Sequence, residues 1–153
     1  MPDVNSPQPS FDYLQESFIY EPTYEQQLYA TFRIDGNFRV GKRVSLEAIV
    51  ATLDTATANL HFKAEVFVRS VNSALTTLTR KYDSTNSAIS VSISTAEKAL
   101  KLLIDLTDSS GQIGGLNLQA DDMITIRLYR SGSDTSSLPA FFFPRTSGIK
   151  VAP

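Results

Sequence analysis

From residue 27 onward, apolar and polar side chains alternate with a period of two, the spacing of a β-strand with one face inward. In "QLYATFRI", Leu28, Ala30, Phe32 and Ile34 share a face, with Tyr29, Thr31 and Arg33 opposite. "RVSLEAIVAT" puts Val44, Leu46, Ala48 and Val50 on one side. Its other side, with Ile49 and Ala51, becomes apolar late, as in a strand covered on both faces. The cleanest alternation is "NLHFKAEVFVR": Leu60, Phe62, Ala64, Val66 and Val68 against His61, Lys63, Glu65, Phe67 and Arg69. Further strands are predicted at "AISVSI", "ALKLLIDL", "MITIRLYR", "PAFFF" and "GIKVA". Only "STAEKALKLL" admits a helical reading. Because Leu100, Leu102, Ile104 and Leu106 keep period two, it is read as a strand entered through a polar turn. Asp, Asn, Ser and Gly clusters separate these segments at 35–37, 54–59, 83–87, 108–115 and 131–134. About eight strands punctuated in this way predict an all-β, antiparallel fold, a β-sandwich or a barrel.

The first 26 residues read differently. Pro2, Pro7, Pro9 and Pro22 are four of the seven prolines, which disfavours helix and central strands. Phe11, Tyr13, Phe18, Tyr20 and Tyr24 crowd the same stretch, whereas flexible linkers are poor in aromatics. Asp3, Asp12, Glu16, Glu21 and Glu25 make it acidic, and no Lys or Arg precedes Arg33. The expected organisation is an extended arm over 1–26 and an all-β domain over 27–153. The arm's aromatics either fold back on the domain's own core or lie along a partner, as candidate partner-binding residues.

The 153 residues suffice for one domain with its own core, and 42% hydrophobic with 20% charged residues is a globular composition. A net charge of −2 and a pI near 5.3 offer no general attraction for nucleic acid or an anionic membrane, so neither is an expected partner. With no cysteine there are no disulfides or thiolate metal sites. "MPDVNSPQPS" has no charged-then-apolar leader pattern, and the apolar runs are far shorter than the roughly 20 residues of a spanning helix. Synthesis in a cytoplasm is the expectation.

Catalytic chemistry finds little footing. His61 is the single histidine, and it falls on the polar face of a strand between Leu60 and Phe62. "DLTDSSG" offers Asp105, Asp108 and Ser110 but lacks the alternating ligands and distal Glu of a calcium loop. "GQIGG" lacks the Lys-Ser/Thr ending of a phosphate loop, and no helix follows it. Glu47 and Glu65 are read as sheet-surface acids rather than a glycosidase pair. No enzyme activity, cofactor or metal is expected.

"RIDGNFRVGKR" stands out, with Arg33, Arg39, Lys42 and Arg43 against the single acid Asp35. It is either a solvated hairpin end or a docking patch for carboxylates, such as the acidic arm of a neighbouring copy. In "PAFFF", Phe141, Phe142 and Phe143 cannot all face one core, because successive side chains alternate sides. They are candidate oligomer-interface residues, although a loop of the same chain could cover them. Asp121 and Asp122 are expected to cap the turn into "MITIRLYR", with Arg127 and Arg130 on opposite faces of that strand.

"LLIDLTDSSG", then "LQADDMITIRLYRSGSDTSS", then "GIKV" resembles the closing strands of β-sandwich modules in tailed-bacteriophage virion proteins. "LYATFRIDGNFRVGKRVSLEAIVAT" and "ANLHFKAEVFV" are similar to the early paired strands of such modules, so the likeness spans roughly residues 27–152. Asp122 before Met123 and the aromatic "LPAFFFPR" depart from the pattern. The resemblance implies a jelly-roll sandwich and a structural role on the virion. The leading form is a homotrimeric decoration (cement) protein on the phage head surface that binds the major capsid protein or another virion protein. Its rival is a carbohydrate- or receptor-binding module of a tail fibre or head appendage, with Tyr29, Phe67 or Tyr129 as a sugar platform.

Overall fold

A computed structural model of the chain describes residues 8–14, 16–22, 26–70, 80–84, 87–131 and 134–153. The described chain is all-β, with thirteen strands: β1 Ser10–Asp12, β2 Ser17–Tyr20, β3 Gln27–Arg33, β4 Val44–Thr52, β5 Ala58–Arg69, β6 Arg80–Asp83, β7 Ser87–Val91, β8 Leu100–Asp105, β9 Gln112–Ile113, β10 Leu116–Asn117, β11 Met123–Arg130, β12 Ala140–Phe142 and β13 Gly148–Val151. All eight strands expected from periodicity are present. The other five are β1, β2, β6, β9 and β10, each two to four residues long.

Every pairing is antiparallel, and register defines two sheets. In the first, β4 is central. β8 pairs with Ser45–Val50 of β4, while β13 pairs with Val44–Glu47 and β12 with Val50–Thr52. A residue has two ladder edges, so β12 and β13 must lie end to end along the edge opposite β8. β2 then pairs with β12, and β1 with β2. In the second sheet the order is β3, β11, β5, with β7 and β6 end to end on the far edge of β5. β9 and β10 form a separate small hairpin.

The two sheets pack through their apolar faces. Leu60, Phe62, Ala64, Val66 and Val68 of β5 and Ile124, Ile126 and Leu128 of β11 meet Val44, Leu46, Ala48 and Val50 of β4, all buried. Tyr20 crosses the gap: its ring stands edge-on to Phe62 at 5.3 Å, and its hydroxyl donates to the Leu128 carbonyl at 2.9 Å. This order is an antiparallel sandwich; the jelly-roll subtype is a narrower class than it defines.

The division at residue 26 needs correcting. β2 is a hydrogen-bonded strand of the first sheet, and Tyr20 is wholly buried, so the sandwich takes in Ser17–Tyr20. The aromatic residues obey the same parity as every other strand: Phe18 and Tyr20 point inward because Phe142 and Ala140 beside them do.

Candidate functional site

The sandwich is open along one side. Among the described residues, β3 pairs only with β11, and β13 only with β4, leaving two facing edges unpaired. The inward residues of β3 are correspondingly uncovered: Leu28 and Phe32 are half-buried and Ala30 is exposed. On β13, Ile149 and Val151 face inward by register with Leu46 and Val44, yet are 41% and 45% exposed. An apolar cleft of about 340 Å³ fills the gap, lined by Phe18, Leu28, Phe32, Ile126, Phe142 and Ile149 among others. It meets a second cavity of about 570 Å³ at the shared residues Phe32 and Ile149.

The second cavity lies at the Arg33 end of β3, where "RIDGNFRVGK" folds over. Asp35 makes the turn, its carboxylate accepting the Asn37 amide at 2.7 Å and its carbonyl the Phe38 amide at 3.0 Å. This brings Phe38, Arg39 and Lys42 to the cavity beside Arg33, opposite Val151–Pro153. Gly111 supports the loop from beneath. Its φ is +75°, and a Cβ there would lie 2.6 Å from the Lys42 carbonyl oxygen. The apparent phosphate loop "GQIGG" is therefore a close-packing glycine followed by the turn of the β9–β10 hairpin.

The structure thus gathers three of the four basic residues. Arg33 pairs with Asp121 at 2.8 Å, Lys42 donates to the Pro153 carbonyl at 2.7 Å, and exposed Arg39 has no ion pair among the described residues. Arg43 does not line the cavity. It is bound to Asp105, whose hydrogen bond and charge raise the guanidinium pKa.

The aromatic residues divide equally sharply. Tyr20 and Phe142 are core side chains, 0% and 5% exposed, and cannot meet a partner. Phe18 is half-buried, stacked edge-on to Phe11 at 4.9 Å, and lines the cleft. Tyr13 lies on the exposed turn between β1 and β2, 84% accessible. Tyr24 lies outside the described residues. Phe141 and Phe143, half-buried on the outer face of the first sheet, border a cavity of about 260 Å³ with Ala51, Leu53 and Glu97. Alternation thus leaves two of the three phenylalanines facing away from the core.

Arg127 and Arg130 fall on opposite faces of β11, with different roles. Outward, Arg127 donates to Glu65 at 3.0 Å and lies 4.4 Å over the Tyr129 ring, opposite Tyr29 in register. Burial disfavours ionised Glu65, but hydrogen bonds from Lys81 and Arg127, with their charges, hold its pKa below the ordinary range. Inward, Arg130 is buried and bidentate to Asp134 at 2.7 and 2.9 Å, and it donates to the carbonyls of Tyr20, Leu138 and Ser136. Asp54 completes this knot. The Ser136 hydroxyl, then the Ala56 amide, bond to its carboxylate and lower its pKa. Sequence reasoning missed the knot; its signal was an arginine at an inward position with an aspartate four residues on.

The remaining acids serve turns. Asp108 accepts the amides of Ser110 and Gln112, Asp122 accepts that of Gln119, and Asp121 holds Arg33 with a φ of +67°. Among the described residues no group of three His, Cys, Asp or Glu side chains could hold a metal ion. His61 Nδ1 is buried with no hydrogen-bond partner among them. Comparison with family models, with curated proteins and with solved structures finds no match.

Proposed function

We propose that this protein is a structural binding module, and specifically a decoration (cement) protein of a tailed-phage head. The observation that carries the binding role is the open edge: two strand edges, unpaired among the described residues, frame an apolar cleft that runs into a cavity rimmed by Arg33, Arg39 and Lys42. Apolar surface left in water at a strand edge marks a place where another chain adds. The narrower identification, including a jelly-roll subtype and a trimer, rests on the sequence resemblance. The partner is the major capsid protein or another virion protein, and Phe141 and Phe143 supply a second apolar contact surface. A protein that binds the assembled shell but not its free subunits stabilises the shell by mass action. The gain is about 3–4 kcal/mol at 100 to 1,000 times its Kd.

The test is co-sedimentation with phage heads lacking the protein, together with the heads' melting temperature. Binding that raises head stability, and is weakened by Arg39→Glu, is the expected result. Absence of binding to heads refutes the decoration role.

One arrangement favours a second reading, a glycan-binding module. Tyr29, Arg127, Tyr129, Glu65 and Phe67 share the outer face of the second sheet, with Arg127 stacked on Tyr129. Aromatic faces beside an arginine–glutamate pair suit a sugar ring. Binding on a host-glycan array, lost in Tyr129→Ala, would select this reading over the first.

A further inference from the structure

The turn between β1 and β2 ends in two adjacent side chains with almost nothing on them: Tyr13 is 84% and Leu14 97% exposed. Its described residues are anchored on both sides. The Asp12 carboxylate accepts the Leu14 amide at 2.9 Å, and Glu16, just before β2, pairs with Arg145 at 3.0 Å in the connection between β12 and β13. Phe18, on β2 of the same hairpin, lines the apolar cleft. The tip does not fill the cleft of its own chain.

We propose that Tyr13 and Leu14 of one copy insert into the open-edge groove of a second copy of this chain. The match is one of chemistry. An apolar tip flanked by Asp12 and Glu16, which with Arg145 on Glu16 leaves one anion in excess, meets apolar walls, with Phe32, Phe38 and Ile149, beside a basic rim. Arg33, Arg39 and Lys42 against Asp35 and Asp121 leave one cation in excess. Charge therefore orients the tip, and burial of the tip and groove drives the contact. This deepens the open-edge reading above by naming the occupant of the groove as the protein's own hairpin.

The chain has no cysteine, so introduced thiols report without background. Leu14→Cys is mixed under oxidising conditions with size-tagged Ile149→Cys, and in parallel with size-tagged Ile93→Cys, another exposed position, 77% accessible. A disulfide forms only where Cα atoms approach to about 4–7 Å. The expected result is a mixed dimer with Ile149→Cys well above that with Ile93→Cys. Light scattering of the wild type should give a multiple of 16.8 kDa, falling to one chain in Tyr13→Ser/Leu14→Ser. Equal cross-linking at the two sites, a monomeric wild type, or an unchanged mass in the double variant overturns the proposal. Head binding is read separately, so a self-associating protein that ignores heads removes the decoration role and leaves this contact standing.

Discussion

Replacing Arg130 with Met removes a guanidinium that makes five hydrogen bonds while its side chain is only 2% exposed. Two of those bonds bind Asp134, itself 6% exposed. The other three hold the carbonyls of Tyr20, Ser136 and Leu138, joining β2 to the connection between β11 and β12. Breaking one partner out of a buried ion pair costs about 3–5 kcal/mol, because the other charge stays buried without its counterion. Asp134 still accepts the amides of His61 and Ser136, which limits that penalty, while the stranded carbonyls add to it. The expected loss remains about 3–5 kcal/mol, or roughly 6–20 °C in Tm for a domain of this size. Arg127→Met is the control, since the same chemical change falls on the outer face, where Lys81 still pairs with Glu65. It should cost about 1–2 kcal/mol. Urea denaturation of both variants at pH 7 measures the difference. A loss below about 1 kcal/mol for Arg130→Met, or equal losses for the two, would refute the buried knot as a determinant of stability.

Four further outcomes follow from the same packing. Gly111→Ala places a Cβ 2.6 Å from the Lys42 carbonyl oxygen at a φ of +75°, and should lower stability by about 2–4 kcal/mol in a thermal melt. Burial raises the Tyr20 phenol pKa, so the folded state keeps a proton that the unfolded chain releases above about 10. Stability should therefore fall as pH rises past 10, and less steeply in Tyr20→Phe, read by Tm against pH. The lowered pKa of Glu65 acts in the opposite sense. Its contribution is present above the ordinary glutamate value of 4.5 and is lost as pH falls through the lower folded pKa, so Glu65→Gln should flatten the acid limb of the same curve. Deleting residues 1–26 removes β2 and Tyr20 and should destabilise the domain by about 3–5 kcal/mol or prevent folding, read in the same melt.

Period-two reading recovered the strands that bury one face, because a strand such as β5 writes its environment into its own side chains. The same parity placed Arg127 and Arg130 on opposite faces and denied the three phenylalanines a common core. It failed on β2. "SFIY" is too short to show a period, and the surrounding prolines and acids disguised a strand defined by its pairing with β12. The buried knot was illegible for a related reason. Arg130 is made affordable by Asp134, Ser136 and carbonyls up to 110 residues away, and only the fold brings those groups together. The basic cluster was half legible: sequence proximity found its four members, but Arg43 turned to Asp105, a strand it meets only across the sheet.

Which edge is open could not be read from the sequence at all, since pairing partners are non-local, yet the structure makes that edge distinctive. Sheet edges are commonly protected by short strands, prolines, charges pointing inward, or a covering segment. β1 has three residues, β13 four, and the far edge of β5 is covered by two separate pieces, β6 and β7. β8 has six residues, with Lys101 on its outer face bound to Glu47. Among the described residues β3 has none of these protections. It runs seven residues without proline or inward charge, and its inward Leu28, Ala30 and Phe32 are not covered by the facing sheet. An unprotected edge of this kind promotes indiscriminate pairing unless a specific partner occupies it. The adjacent groove is apolar where Phe18 lines it and basic where Arg33, Arg39 and Lys42 rim it, so its chemistry complements an apolar segment with acidic flanks. On the proposed function, β3 is therefore the strand to which a partner adds, and the buried Arg130 knot follows directly on Tyr129, the residue that pairs with Gln27 at that end of the edge.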